Sequence, residues 1–248
     1  MEQEEKNWKS IDELLSSTGK VLNILEEEID INVQRQYMAL SKRLLETAQD
    51  HSALLQQAHD DIDRLSDKTT SDSEKKKLLV LLATIDDISV YRTIEIFAKK
   101  KTPLQKWATV ALQQSRMLIQ SMLMDEATVF VSTGLGGHGA DLRYFCVFIA
   151  NSETALQPYQ RDIVQKETEL AINGIKGTIE QFEFHDRYIM LTALLSIHAN
   201  LKEVFKSIIK ECNTYGHFLH EQMIVTNVKK LTVKEIDAFL HEEESKKS

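Results

Sequence analysis

Half of the 8 glycines in the chain fall in one stretch, Ser132-Thr-Gly-Leu-Gly-Gly-His-Gly139. Glycines accept positive φ and let backbone approach a ligand closely, so successive N–H groups there can form an anion-binding nest. The candidate ligand-binding set is Thr133, Gly134, Gly136, Gly137, His138, Gly139, Asp141 and Arg143. In it the glycines supply backbone N–H donors, and Thr133, His138 and Arg143 add side-chain donors. Asp141 is the carboxylate that orients one of them. No Gly-Lys-Ser/Thr follows, and a strand-like segment rather than a helix comes next, so neither a P-loop nor a dinucleotide fingerprint is present. A plain hairpin loop is the competing account of the same residues.

Other chemistry-bearing residues are sparser. Cys212, His217, His220 and Glu221 are close in sequence, but on a strand His217 and His220 fall on opposite faces, which argues against a zinc site. His185-Asp186 resembles two members of a triad, yet no serine or cysteine stands in a nucleophile elbow. No metal ligand set and no cofactor motif emerges, and the cofactor is left unknown. The lysine clusters 75–77 and 99–101 lack interleaved aromatics, and with a pI of about 5.5 they speak against nucleic acid. They remain a modest phosphate-facing patch. Glu26-Glu-Glu28 and Glu242-Glu-Glu244 read as solvated helix faces.

Bulk composition limits the elements that can position these residues. The chain has 248 residues with 8 glycines, 2 prolines, 42% hydrophobic residues and a net charge of −8. So few turn punctuators exclude a turn-dense β-sandwich, and the apolar content excludes disorder. Residues 1–73 hold 16 acids and 8 bases, whereas 74–125 hold 5 and 9. The basic middle is expected to dock against the acidic start. Met1-Glu-Gln-Glu-Glu-Lys6 is acidic where a signal peptide is basic and then apolar. No apolar run reaches the roughly 18 residues of a membrane span. With Cys146 and Cys212 as the only cysteines and no CxxC spacing, the expected location is cytoplasmic.

Val33, Tyr37, Leu40, Leu44, Ala48, His51, Leu55, Ala58, Ile62 and Leu65 recur every three or four residues. That spacing predicts a helical seam about 50 Å long at 1.5 Å per residue. A shorter stripe, Ile11, Leu14, Thr18, Leu22, Leu25 and Ile29, is expected to fold back on it as an antiparallel hairpin, with Asp30 or Asn32 as N-cap. A polar boundary at 66–73 precedes three further helices, the first capped by Asp72 or Ser73 and the third opened by Pro103.

Asp86-Asp-Ile-Ser-Val-Tyr-Arg-Thr-Ile-Glu-Ile-Phe97 followed by Thr102-Pro-Leu-Gln-Lys-Trp-Ala-Thr-Val-Ala-Leu112 resembles a HEAT- or armadillo-type helical repeat. The likeness covers about residues 74–125. It implies close helix packing over Ala108 and Ala111, and protein–protein binding rather than catalysis.

Beyond residue 126 the pattern becomes β-branched and aromatic. Strands are expected at 127–133 and 142–149, flanking the glycine loop, and at 178–184 and 218–228. Helices are expected at 158–175 and 201–215, and Thr232-Val-Lys-Glu235 opens a last one with a capping box. The segment 187–197 fits either a strand or a helix start. The order suggests a diverged internal duplication building one sheet.

The expected fold is mainly α with an α+β C-terminal half: an N-terminal helical hairpin and HEAT-like helices, then an antiparallel-rich sheet covered by helices. Its parts are 1–66, 74–125 and 126–248. The leading functional expectation is a non-enzymatic scaffold or adaptor, with Tyr37, Leu40, Leu44, Tyr91 and Trp107 meeting a protein partner or a second copy. The alternative is a small-molecule or phosphate-binding protein, with or without catalysis, whose site is the glycine loop 132–143.

Overall fold

The computed structural model describes residues 21–124, 128–152 and 154–247. The chain divides into two compact units, Met1–Ser132 and Thr133–Ser248. Together they hold eight α-helices among the described residues and a five-stranded antiparallel sheet, an α+β fold.

In the first unit the helices are α1 (Ile31–Thr47), α2 (His51–Asp60), α3 (Asp72–Leu82), α4 (Ile88–Ala98) and α5 (Gln105–Met124). Side-chain oxygens start four of them. Asp30 accepts from the Asn32 N–H at 2.7 Å, as expected. Asp50 accepts from Ala53 N–H at 3.0 Å, and Asp87 takes Ser89 N–H at 2.6 Å and Val90 N–H at 3.3 Å. At α3 the cap is Ser71, not Asp72 or Ser73, in a reciprocal capping box with Glu74.

The expected long seam is interrupted. α1 ends at Thr47 with Ala48 as its C-cap and Asp50 caps α2, so the stripe is split between α1, α2 and the 3₁₀ turn Ile62–Leu65. Its apolar side is consumed internally: Tyr37, Ala58 and Leu65 are buried, and Val33, Leu40, Leu44, Leu55 and Ile62 pack against them. The antiparallel partner helix is replaced where it can be seen. Val21–Ile24 is a strand, β1, paired in parallel with β2 (Thr128–Val131), while Leu25 and Ile29 are buried in the loop that follows. Ile11, Leu14 and Thr18 lie outside the described residues. One apolar cluster runs from Leu25 to Leu112, so the first two expected segments share a core.

The second unit is built on β4 (Asp141–Ala150), whose middle and end are buried on both faces. One side of β4 pairs with β6 (Tyr188–Ser196), from Asp141↔Ser196 to Ile149↔Tyr188, and β6 pairs in turn with β5 (Thr178–His185). The other side takes β3 (Gly137–His138) at its start and β7 (Leu219–Thr226) further along. All pairs are antiparallel. Helix α6 (Pro158–Gly174) connects β4 to β5, and α7 (Leu201–Asn213) connects β6 to β7. The result is a split β-α-β arrangement used twice. The segment 187–197 is therefore resolved as strand, entered through a tight turn with Asp186 at φ 48°.

Alternation along β4 assigns its faces. Phe148 meets Phe205 of α7 with ring centroids 5.9 Å apart, on the side covered by helices that pack on one another, α6 and α7. Phe145, Val147 and Ile149 face the other way, with Tyr188, Met190 and Ile224, beneath Ile236 of α8 (Val233–Lys247). The expected capping box opens α8: Thr232 N–H donates to Glu235 at 2.9 Å. The expected duplication of a strand–strand–helix unit beginning at 127–133 does not hold, because β2 pairs with β1; the unit that recurs is the split β-α-β, β4–α6–β5 and β6–α7–β7.

Candidate functional site

The glycine loop runs from the start of the second unit into β3. Its hairpin is not between β2 and β4; it is the short turn joining β3 to β4, with Gly137 opposite Leu142 and His138 opposite Asp141. Residues 133–137 are buried, Ser132 is half-buried, and His138, Gly139 and Ala140 are exposed. Backbone groups on both flanks claim the buried part. Leu135 N–H donates to Asn227 O at 3.0 Å, Gly136 N–H to Thr133 O at 3.4 Å, and the Thr133 hydroxyl to Gly136 O at 3.1 Å. At Gly134 a Cβ atom would sit 1.7 Å from Val228 O, so glycine there is a packing requirement. Gly136 and Gly139 have φ of 72° and 61°, which their turns need whether or not a ligand binds.

Arg143 is committed as well. Its guanidinium donates to both carboxylate oxygens of Glu180 at 2.5 and 2.8 Å, and to Leu135 O at 2.7 Å. A bidentate fork of this kind satisfies an arginine and a carboxylate together. It holds the Glu180 carboxyl below the usual glutamate range. The structure thus brings Thr133, Gly134, Gly136, Gly137 and Arg143 together as a clasp that joins the loop to β5 and to the segment after β7. Asp141 and His138 stand at its edge.

The other candidate clusters disperse. Among the described residues no group of three or more metal-ligating side chains is assembled. Cys212 is buried on α7, where burial pushes its thiol up to about 12, while His217, His220 and Glu221 are exposed. His220 Nδ1 accepts the Gln222 N–H at 3.0 Å. His185 pairs with Glu183 at 3.1 Å rather than with Asp186. Lys76 lies over the Trp107 ring at 4.8 Å, and Lys100 donates to the Ser66 hydroxyl at 3.3 Å, so both lysine clusters have members engaged within their own unit. Glu26 to Glu28 are exposed, as expected, but on a loop rather than a helix.

Of the expected partner-binding residues, Tyr37 and Trp107 are corrected to core positions. Their rings meet at 5.3 Å, the Tyr37 hydroxyl donates to Gln114 at 2.8 Å, and Trp107 Nε1 donates to Lys76 O at 3.2 Å. Large aromatics at helical spacing bury the most area when they face inward, and these do. Leu40 and Leu44 are half-buried against the same core.

Tyr91 leads to a surface. Helix α4 buries Val90, Ile94, Phe97 and Ala98, and turns Ile88 and Ile96 outward, 64% and 60% exposed. Tyr91 lies half-buried beside them, with the Arg92 guanidinium 5.7 Å from its ring. Arg92 and Lys99 both pair with Glu95, at 2.9 and 3.3 Å. The outer face of the helix therefore shows two exposed isoleucines two turns apart, with Arg92 between them and the Glu95 and Lys99 charges on the same face. Sequence reasoning picked Tyr91 but missed Ile88 and Ile96, although two isoleucines opposite the buried Val90–Ile94–Phe97 face were a readable signal.

Two shallow clefts border α2. One, of about 200 Å³, is lined by Ala58, Thr70 and Leu78 beside the Asp61–Arg64–Glu74 ion pairs. It is smaller than the roughly 300 Å³ at which ligand pockets begin. The other, about 360 Å³ and more open, sits at the break between α1 and α2 and gathers no converging charged groups beyond Asp50. Among the described residues no helix is long and apolar enough to cross a membrane. No known protein family matches this sequence, and no curated protein is significantly similar to it.

Proposed function

We propose that the chain is a non-enzymatic protein-interaction module, a scaffold or adaptor that meets its partner on the outer face of α4. The observation that carries this is the pair Ile88 and Ile96, both more than half exposed on a helix whose opposite face is locked into the core. A rigid backbone under exposed apolar side chains lowers the ordering cost of binding, and the paired Arg92, Glu95 and Lys99 on the same face add polar groups that a partner can meet. The same two helices, α4 and α5, carry the likeness to a HEAT or armadillo repeat, which implies protein binding. A reducing compartment such as the cytoplasm suits the two buried free thiols, Cys146 and Cys212.

The test immobilises the full chain beside the double variant Ile88→Asp/Ile96→Asp and compares the proteins each retains. Both positions are exposed, so thermal stability should stay close to wild type. Proteins retained by wild type and lost by the variant support the reading. An identical set on both, or none on either, overturns it.

A further inference from the structure

The second unit has a different unpartnered surface, independent of α4. Helix α6 is apolar on two opposite sides. Val164, Thr168 and Ile172 face inward and are buried. Tyr159, Ile163, Lys166 and Leu170 follow one another at spacings of four, three and four, the period of a helix–helix seam, and face away from the sheet. Tyr159 is 57% exposed and Leu170 70%. Arg161 does not share this face, because its guanidinium donates to Leu156 O at 3.1 Å and lies over Phe184.

Both helices of this layer expose charges of both signs, Lys166 on α6 and Glu203 and Glu211 on α7 among them, but their outer edges differ in sign. On α6 the exposed acids Asp162 and Glu169 lie to one side of the seam. Glu167, on the other side, is near enough to α7 to act on the Cys212 thiol. On α7, Phe205, Ile208, Ile209 and Cys212 face inward, while Lys202, Lys206 and Lys210 are exposed at intervals of four, along one edge. By helical geometry, Val204, half-buried on the opposite side of α7 from those lysines, marks the edge toward α6. The α6 acids and α7 lysines are therefore the two outer rims of one helical layer.

We infer that this layer binds a second copy of the chain. A two-fold axis running along the helix pair brings the acidic rim of each α6 against the lysine rim of the other copy's α7. The contact is made twice over, as an isologous interface requires. The exposed Tyr159 and Leu170, with half-buried Ile163 beside them, are covered in the same step. Charge complementarity selects this occupant: the rims match one another only across such a two-fold.

The experiment measures the mass of the full chain in solution against concentration, by sedimentation equilibrium. Wild type is expected to form a dimer, and Leu170→Glu to dissociate at least about tenfold more readily with an unchanged melting temperature, since the side chain is exposed in the monomer. Lys206→Glu should also weaken the dimer. Adding Glu169→Lys to it should restore part of the association, because one acid–lysine contact across the two-fold is then remade with its charges exchanged. A wild type that stays monomeric at every soluble concentration overturns the inference. So does a dimer indifferent to Leu170→Glu, or a double reversal that restores nothing. A dimer abolished by Ile88→Asp/Ile96→Asp and unaffected by Leu170→Glu would place self-association on α4 instead. Loss of partner binding alone in that α4 variant leaves the α6–α7 interface standing.

Discussion

The two units solve the same problem with different bonds. Helices satisfy their own backbone groups, so the first unit has few left to join its parts, and side chains do the joining. Gln34 Nε2 donates to Ile29 O at 2.8 Å, Gln113 Nε2 to Ile24 O at 3.4 Å, and Lys106 Nζ to Glu28 O, tying the loop after β1 to α1 and α5. In the second unit the ladders of β4 with β6 and β7 do most of this work through backbone, and side chains such as Arg143 and Asn213 add ties at the ends of the strands. The comparison teaches that the first unit should be sensitive to side-chain deletion, and the second to whatever moves its backbone.

The largest expected effect tests the first half of that contrast. Trp107→Ala removes the ring packed at a 60° tilt against Tyr37, the hydrogen bond to Lys76 O and the contact with Lys76 Nζ. Buried aromatic truncations of this kind cost about 3–5 kcal/mol. Chemical denaturation of wild type and variant measures it, and a cost below about 1 kcal/mol would show that this ring does not hold the core.

The second half is tested by one added methyl group. Gly134→Ala forces a Cβ to within 1.7 Å of a main-chain oxygen, so the loop or the Val228 segment must shift. Overpacking against backbone costs typically 1–3 kcal/mol. Gly139→Ala meets no atom within 4 Å and suffers only its positive φ, about 1–2 kcal/mol at the upper end. Equal losses at the two positions would erase the distinction between packing and turn conformation.

The smallest effect is one of pH. Arg143 holds the Glu180 carboxyl below its ordinary value in the folded chain. The pair's contribution is therefore fully present above the unfolded glutamate pKa and is lost as pH falls through the lower folded value. Glu235 behaves in the same direction, drawn down to about 2 by its hydrogen bond from Lys229. Glu180→Gln should thus destabilise the protein near neutrality and converge on wild type in acid, as followed by melting temperature across the acid range. A constant difference at all pH values would show that the Arg143 clasp does not depend on charge.

Much of the fold was legible because its signals are local. Asp30 as a cap, the Thr232–Glu235 capping box, the helices beginning at Pro158 and Leu201, and the strands around 142–149 and 219–226 follow from adjacent residues. The parallel pair of β1 and β2 was not legible, since Val21–Ile24 acquires its strand partner only from residues 128–131, more than a hundred positions away. The long seam misled for a related reason. Its period is real, but periodicity says that a face is covered and not what covers it, and α3 and α5 of the same unit cover it here. The glycine loop was legible as a place needing close backbone approach. What approaches Gly134 in the fold, the Val228 carbonyl, comes from the chain after β7, more than ninety positions further along.

By itself, then, the sequence determined the class of protein, a glycine-poor α+β chain, and the position of most helices and strands, because capping and periodicity act within a few residues. Only the tertiary structure decided the division at Ser132, the burial of Tyr37 and Trp107, the commitment of Arg143 to Glu180, and the faces α4 and α6 leave open. These depend on which distant residue arrives opposite each group. Propensity and spacing, which act over one or two helical turns, carry no information about such arrivals.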